Sequence, residues 1–454
     1  MGRGFGAQAS SEYSSHRLSE LPRSLTRLNA TALVAGTIIG ASIFAQPSEI
    51  ARHLATPTDI MLVWTACGIL TLFGAFVCAE LASAFPQTGG LYVFLREAFS
   101  PLVGFLWGWA MFWSMHSGII AIIAIVFARY TAHFFPGLGD AGIRAVAVAL
   151  IVALSALNYL GVKAGSRVQT ALTIAKILAI GVVVAVGLGF AAASGTDAAL
   201  TEGLTAGARS ATLGDFLLAM VAGLFAYGGW HMVTYTAGET VMPARTIPTA
   251  LVAGVGIVTV CYVALNILYL AILPLDEVRN STRIAADAAD VVLGSGGAAV
   301  MAGLVMMSAF GGLTGIVLAG PRVYYSMAQD GLTFKWLAHV HPTFRTPSRA
   351  IVAQAICASV LAATGAYRQL FTRVIYTEWL FFALMAIGLF VLRRRSDYRP
   401  PYVAWGYPIV PIVFIVASLV IVLNQIYREP VEALAGLGIV ALGAPVYYLW
   451  HANR

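Results

Sequence analysis

Lys176 lies in the apolar run Thr173-Ile-Ala-Lys176-Ile-Leu-Ala. A lone charge inside a membrane costs at least about 2.5 kcal/mol, so an intramembrane lysine marks a candidate functional site. Its ammonium could take the place of a bound cation and donate to backbone carbonyls, or it could carry a proton. Near the end of a span it could equally snorkel to water. Two other stretches offer backbone chemistry: Gly36-Thr-Ile-Ile-Gly40-Ala-Ser-Ile-Phe44 and Gly223-Leu-Phe-Ala-Tyr-Gly228-Gly229-Trp230. Each sets small, helix-poor residues in the middle of a run long enough to cross a bilayer. A helix that unwinds there frees N–H and C=O groups, which hydrocarbon tolerates only where they face protein, water or a bound solute. Unwound N–H groups at a half-helix end cradle a carboxylate. Carbonyls of the opposite half receive an ammonium, so a zwitterion fits without any charged side chain. The pair Gly36 and Gly40 could also serve close helix packing. Phe225, Tyr227 and Trp230 flank the second break, either as ordinary aromatic packing or as a gate, with Phe225 closing over the solute.

The remaining titratable residues are sparse. Glu80 near the end of the second span and Glu378 just before Trp379 could relay protons or pair with Lys176. Glu80 could also form a structural ion pair or cap a loop, and Glu378 could lie at the outer interface. His116 and His231 are isolated, and no metal-ligand spacing exists. No phosphate-binding loop, nucleophile elbow or zinc-protease helix motif occurs, so enzyme, cofactor and metal readings have no support.

The elements that position these residues follow from composition. The 454 residues are 59% hydrophobic and only 10% charged, with mean hydropathy +0.83. Soluble domains average about 25% charged residues. The chain reads as an all-α polytopic membrane protein of about 12 transmembrane helices, each about 20 residues or more. No sizeable soluble domain remains. The expected spans are 28–54, 59–85, 101–135, 142–161, 170–193, 214–238, 246–273, 297–328, 347–366, 370–392, 404–426 and 432–451. No signal peptide is expected, because the first apolar run near Ala30 follows a polar tail and is too long. At the end of the tail, 1–27, and leading into the first span, Leu18, Leu21, Leu25 and Leu28 fall on one helical face and predict a short interfacial helix. The four cysteines, Cys67, Cys78, Cys261 and Cys357, sit inside spans and read as small buried hydrophobes.

An even span number puts both termini on one side. With the termini inside, the inner segments hold about twice as many Lys and Arg as the outer ones. Arg393-Arg394-Arg395 is the strongest anchor. The termini are therefore expected in the cytoplasm, and the basic pI reflects this asymmetry rather than nucleic acid. The interrupted spans are the first and the sixth. If each opens a five-helix unit, 28–193 and 214–394 form a 5+5 inverted repeat with discontinuous helices 1 and 6. Spans in 404–451 are then two peripheral helices. The stretch Pro86–Pro101 could fold back as a short helix. Ala285–Leu293, within the loop Leu275–Gly297, could form a helix capping the outer vestibule.

These pieces resemble the amino acid–polyamine–organocation superfamily of transporters, nearest to its sodium-independent amino acid carriers. Gly36–Phe44 looks like the first-span signature. Phe225-Ala-Tyr-Gly-Gly-Trp230 followed by Ala237-Gly-Glu239 looks like the sixth. Cys78–Pro86 with Thr88–Glu97, Asn158–Lys163 through Val168-Gln169 to Lys176, and Arg322–Gly331 supply the second, fifth and eighth spans. The resemblance covers about residues 28 to 394. It implies a LeuT-type fold and alternating access. It implies that Thr37, Ile38, Ile39, Gly40, Ala41 and Ser42 hold the substrate carboxylate. Phe225, Ala226, Tyr227 and Gly228 would hold its amino group, with Phe225 and Trp230 as gates. Lys176 would stand where sodium-coupled relatives bind an ion. The family often reads Gly-Ser-Gly where this chain has Gly40-Ala41-Ser42, which leaves less room beside the substrate. The expected function is sodium-independent transport of neutral amino acids, by exchange or proton symport, in the cell membrane. The alternatives are a cationic amino acid or polyamine carrier, and a non-transporting solute sensor. The expected partners are a small-molecule amino acid and membrane lipid, with no nucleic acid. The need for an accessory subunit stays open.

Overall fold

The computed structural model describes residues 21–44, 46–195, 211–281, 283–365 and 376–452. Among them the chain is helical, with a single isolated bridge between Leu25 and Thr240 as its only strand-like pairing. Ten segments are long and apolar enough to cross a membrane. Two helices of 17 residues, Ser348–Thr364 (α15) and Thr377–Arg393 (α16), bring the array to the expected twelve. Residues 1–20 and the expected start of the tenth span at 370 lie outside the described residues.

Local chemistry sets the helix starts. Pro57–Ala84 (α3) opens on Thr56, whose hydroxyl accepts from the Asp59 amide at 3.1 Å, with proline at the first helical position. Proline there lacks only an N–H that no helix could satisfy. Leu213–Ala226 (α9) opens on a capping box between Thr212 and Asp215, which satisfies two orphan donors at once. Pro101–Ala110 (α5) and His116–Phe134 (α6) form one span, joined through a π-helical turn at Met111–Met115. Such turns often accompany functional sites.

Both discontinuous helices are present. Arg27–Ile38 (α1) stops, a 3-10 turn follows at Ser42–Phe44, and Gln46–His53 (α2) completes the first span. In the sixth, α9 ends at Ala226 and a ten-residue 3-10 segment runs from Trp230 to Glu239. Runs of 3-10 helix longer than about 4 residues are uncommon and mark strain or a hinge. Pro243–Ile272 (α10) and Gly297–Ala319 (α13) pack against α1 at the centre. At the edge, Ile409–Arg428 (α17), Pro430–Ala441 (α18) and Gly443–Ala452 (α19) expose Ile409, Leu423, Val431, Leu434 and Leu449. Large apolar side chains on the outside fit a surface that faces lipid.

The expected short helices are found at Leu91–Ala98 (α4) and Ile284–Leu293 (α12), and the loop before the latter holds a further one at Leu275–Asn280 (α11). Helix α4 buries Leu91 to Leu95 and sends Arg96 to Asp330, just past Pro321–Gln329 (α14). The Tyr92 hydroxyl donates to the same carboxylate at 2.6 Å. Burial, then that bond to Asp330, holds the Tyr92 phenol well above its usual range.

Three expectations need correction. Residues 21–24 and 26 are not helical; Leu21 and Leu25 are buried on an extended segment, while Leu28 is exposed on α1. Hydrogen bonds from the Ser24 and Leu25 amides to the Glu239 carbonyl hold that segment extended. The fifth span begins at Val162 rather than near 170, because its helix (Val162–Ser194, α8, after Asp140–Leu160, α7) runs on past the polar residues Lys163, Arg167 and Gln169. At about 1.5 Å per residue such a helix outruns a hydrocarbon core of about 30 Å. The four cysteines are free thiols, but only Cys67 and Cys78 are fully buried.

Candidate functional site

Helix α1 ends because the chain turns at Ile38–Gly40: the Gly40 amide donates back to the Ile38 carbonyl at 2.7 Å. That leaves carbonyls without helical partners, and side chains from three other helices take them. Lys176, near the middle of the 33-residue α8, is 1% exposed. Its Nζ donates to the Gly36 carbonyl at 2.8 Å and also to that of Ile39. Ser308 Oγ on α13 lies 3.1 Å from the Gly40 carbonyl and 3.3 Å from that of Ile39. The Tyr262 hydroxyl on α10 lies 2.9 Å from the Ile38 carbonyl and 3.1 Å from that of Ala226. One side chain therefore spans both breaks.

The second break turns at Tyr227–Gly229. Gly229 has φ +99, a conformation that favours glycine. A Cβ there would sit 3.1 Å from the Thr37 carbonyl oxygen, so closeness of the two breaks also demands glycine. Thr37 Oγ1 lies 3.1 Å from the Gly229 carbonyl. The breaks thus form one backbone-lined region.

Within residues 37–44 only Ala41 and Ser42 keep some exposure, and within 223–231 only Phe225 and Gly228 do. A Cβ on Gly40 would meet nothing closer than the Ile38 carbonyl oxygen, 3.9 Å away. The amides of Ala41, Ser42 and Ile43 have no acceptor among the described residues. Carbonyls at this break are thus occupied while its N–H groups are free, an arrangement that suits an anionic group.

The amino acid permease family matches residues 25–444. This chain belongs to that family. The permease is 32% identical over 435 residues to the serine/threonine exchanger SteT of Bacillus subtilis (strain 168), covering 94% of this chain and 97% of that protein. It is 30% identical over 439 residues to the b(0,+)-type amino acid transporter 1 of Mus musculus, covering 96% and 89%. It is 28% identical over 438 residues to the cystine/glutamate transporter of Homo sapiens, covering 95% and 86%. These relatives and the apolar helices make it a multi-pass membrane protein of an amino acid transport family.

The permease brings together Thr37 to Ser42, Phe225 to Gly228 and Lys176. The Tyr227 side chain turns away, with its hydroxyl on the Trp64 carbonyl at 3.2 Å and its ring against Trp64 and Tyr262. Trp230 is buried on Phe382 and Phe414, with ring centroids 5.1 and 6.5 Å away. Neither acid pairs with Lys176. Glu80 forms a two-point ion pair with Arg393 (2.8 and 2.5 Å) and accepts the Ala404 amide at 2.6 Å. It fastens α3 to α16 and to the chain entering α17. Glu378 is buried in the protein and faces His231, with Nε2 to Oε1 at 3.5 Å.

Sequence reasoning missed the buried ion pair of Arg322 with Glu239, whose bonds measure 2.8 and 3.1 Å. Arg322 also donates to Asn158 Oδ1 at 3.2 Å and to the Leu318 carbonyl at 2.5 Å. In the sequence Arg322 falls near the end of the expected span 297–328 and Glu239 just past the end of 214–238. The available signal was one charge of each sign flanked by apolar residues. Ser308 and Tyr262 were missed too, since a lone polar residue in a span does not say which carbonyl it serves.

Proposed function

We propose that this permease carries neutral amino acids without sodium, by alternating access, as an exchanger or a proton symporter in the cell membrane. In this reading the free amides of Ala41, Ser42 and Ile43 hold the substrate carboxylate. The backbone around Phe225 to Gly228 takes the ammonium, and the partly exposed Phe225 ring gates it. Lys176 supplies the positive charge that a coupling ion would otherwise bring to the Gly36 and Ile39 carbonyls. Residues 28–193 and 214–394 act as two inverted units around the site, with both termini in the cytoplasm.

The observation that carries this reading is the split at the first break: carbonyls bonded by Lys176, Ser308 and Tyr262, amides left open. Family membership supports the substrate class, and a relative named as a serine/threonine exchanger supports neutral substrates and exchange. The test is uptake of radiolabelled serine into proteoliposomes, empty or loaded with unlabelled serine, with sodium replaced by choline. Uptake that survives the replacement is expected. A strict sodium requirement would overturn the Lys176 reading. Flux of arginine or a polyamine alone would overturn neutrality, and binding without flux would favour a sensor.

A further inference from the structure

His231 and Glu378 are a buried titratable pair that the carboxylate and ammonium sites do not use. His231 lies one turn past the second break, on the 3-10 segment, and is fully buried. Glu378 lies in the first turn of α16. His231 Nε2 and Glu378 Oε1 are 3.5 Å apart, and neither ring nitrogen has a hydrogen bond among the described residues. The walls are aromatic: ring centroids of Phe382, Tyr235, Trp230 and Trp107 lie 4.9 to 5.8 Å from the imidazole. Other titratable groups acting in this pocket are His116 on α6, Tyr324 on α14 and Cys78 on α3. His116 Nδ1 and the Tyr324 hydroxyl also lack partners. Among the described residues, neither His231 nor Glu378 forms an ion pair with a Lys, an Arg or another acid.

An apolar box does not hold a lone carboxylate or a lone imidazolium. Two arrangements carry zero net charge: imidazolium beside carboxylate, and imidazole beside carboxylic acid. Both contain one proton shared by the pair, so packed together the two residues hold one proton. Parting in water lets imidazolium and carboxylate become imidazole, carboxylate and one released proton. The pair also joins the 3-10 half of a discontinuous helix to α16, so motion of that half changes their separation.

We propose that His231 and Glu378 form a proton-binding site, which holds one proton while the Trp230–Glu239 segment packs against α16 and releases it when the two part. Amino acid binding at the second break, three to six residues before His231, packs that segment and so takes up the proton. This rests on the transport reading for its ligand.

The test is calorimetry of serine binding to the full chain in lipid nanodiscs, in two buffers of different ionisation enthalpy, from about pH 6 to about pH 9. Linkage to one proton predicts net proton uptake on binding. Affinity should fall as pH rises, by up to about tenfold per pH unit. Glu378→Gln and His231→Gln should each flatten that slope. A wild-type affinity independent of pH, with no protons exchanged, overturns the proposal whether or not the variants fold. So does a slope retained in both variants. Serine exchange into loaded proteoliposomes, run in parallel, separates the two readings. Exchange with no proton linkage sinks the proposal and leaves transport standing. Proton-linked binding without exchange leaves the site standing and sinks transport. Absence of both sinks both.

Discussion

Replacing Lys176 with methionine keeps most of the side-chain volume and removes the ammonium. The Gly36 carbonyl then loses its partner, because the Gly40 amide, which would serve it in a continuous helix, is spent on Ile38. The Ile39 carbonyl keeps only Ser308, at 3.3 Å. An orphaned buried carbonyl costs about 1 to 3 kcal/mol, and loss of positive charge at a helix C-terminus up to about 2 more. A penalty of about 2 to 4 kcal/mol on the unwound geometry corresponds to a loss of about 30-fold to 1000-fold in the population that holds it. Overall stability should change far less, since the buried ammonium also carried a desolvation cost. The assay is initial-rate serine exchange in proteoliposomes, with melting followed on the same preparation. We expect exchange to fall by at least about tenfold while melting moves by a few degrees. Exchange within about twofold of wild type, with matched insertion into vesicles, would refute the role assigned to Lys176.

Other perturbations give separate outcomes. Phe225→Ala should raise the half-saturation for serine by about tenfold through loss of a closing ring worth about 1.5 kcal/mol or more; an unchanged value would remove Phe225 as the gate. Tyr262→Phe deletes the hydroxyl shared by the Ile38 and Ala226 carbonyls; Ile38 keeps the Gly40 amide, so the one acceptor left short is Ala226, and exchange should slow by about tenfold at about 1 to 3 kcal/mol for that acceptor. Equal rates in side-by-side exchange would show that the bridge is dispensable. Arg322→Met strands the Glu239 carboxylate and should cost about 3 to 5 kcal/mol in stability, partly restored by adding Glu239→Gln. A single variant that melts with wild type would contradict the buried pair.

The architecture was legible because hydrocarbon demands long apolar runs, and small-residue clusters at Gly36–Ser42 and Tyr227–Gly229 reveal where winding fails. The position of Lys176 opposite the first break could be inferred only through family resemblance, since periodicity says nothing about which helices touch. The start of its helix was misjudged because Lys163 and Arg167 look like a loop, whereas α8 begins at Val162 and includes both. The partners of Glu80, Glu378 and Glu239 were illegible for a similar reason. Arg393, His231 and Arg322 lie 313, 147 and 83 positions away, and only the packing of helices brings such residues together. Tyr227 and Trp230 were legible as residues of the break, but the directions of their rings depend on where Trp64 and Phe382 stand.

The bridge between Leu25 and Thr240 has a mechanical consequence. Amides of Ser24 and Leu25 meet the Glu239 carbonyl at 2.7 and 2.9 Å, and the Val241 amide returns to the Leu25 carbonyl at 2.9 Å. The lead-in to one broken helix is thus laced to the far end of the other, while Thr37 and Gly229 touch where both are unwound. Two points of attachment turn a pair of independent arms into a single crank with one angle to vary. Spin labels at the exposed positions Leu28 and Met242 should report one constant separation in every substrate condition, and two populations would mean the arms swing separately. A carrier built this way has no stroke in which one arm leads: whatever displaces the first delivers the same rotation, at once, to the second.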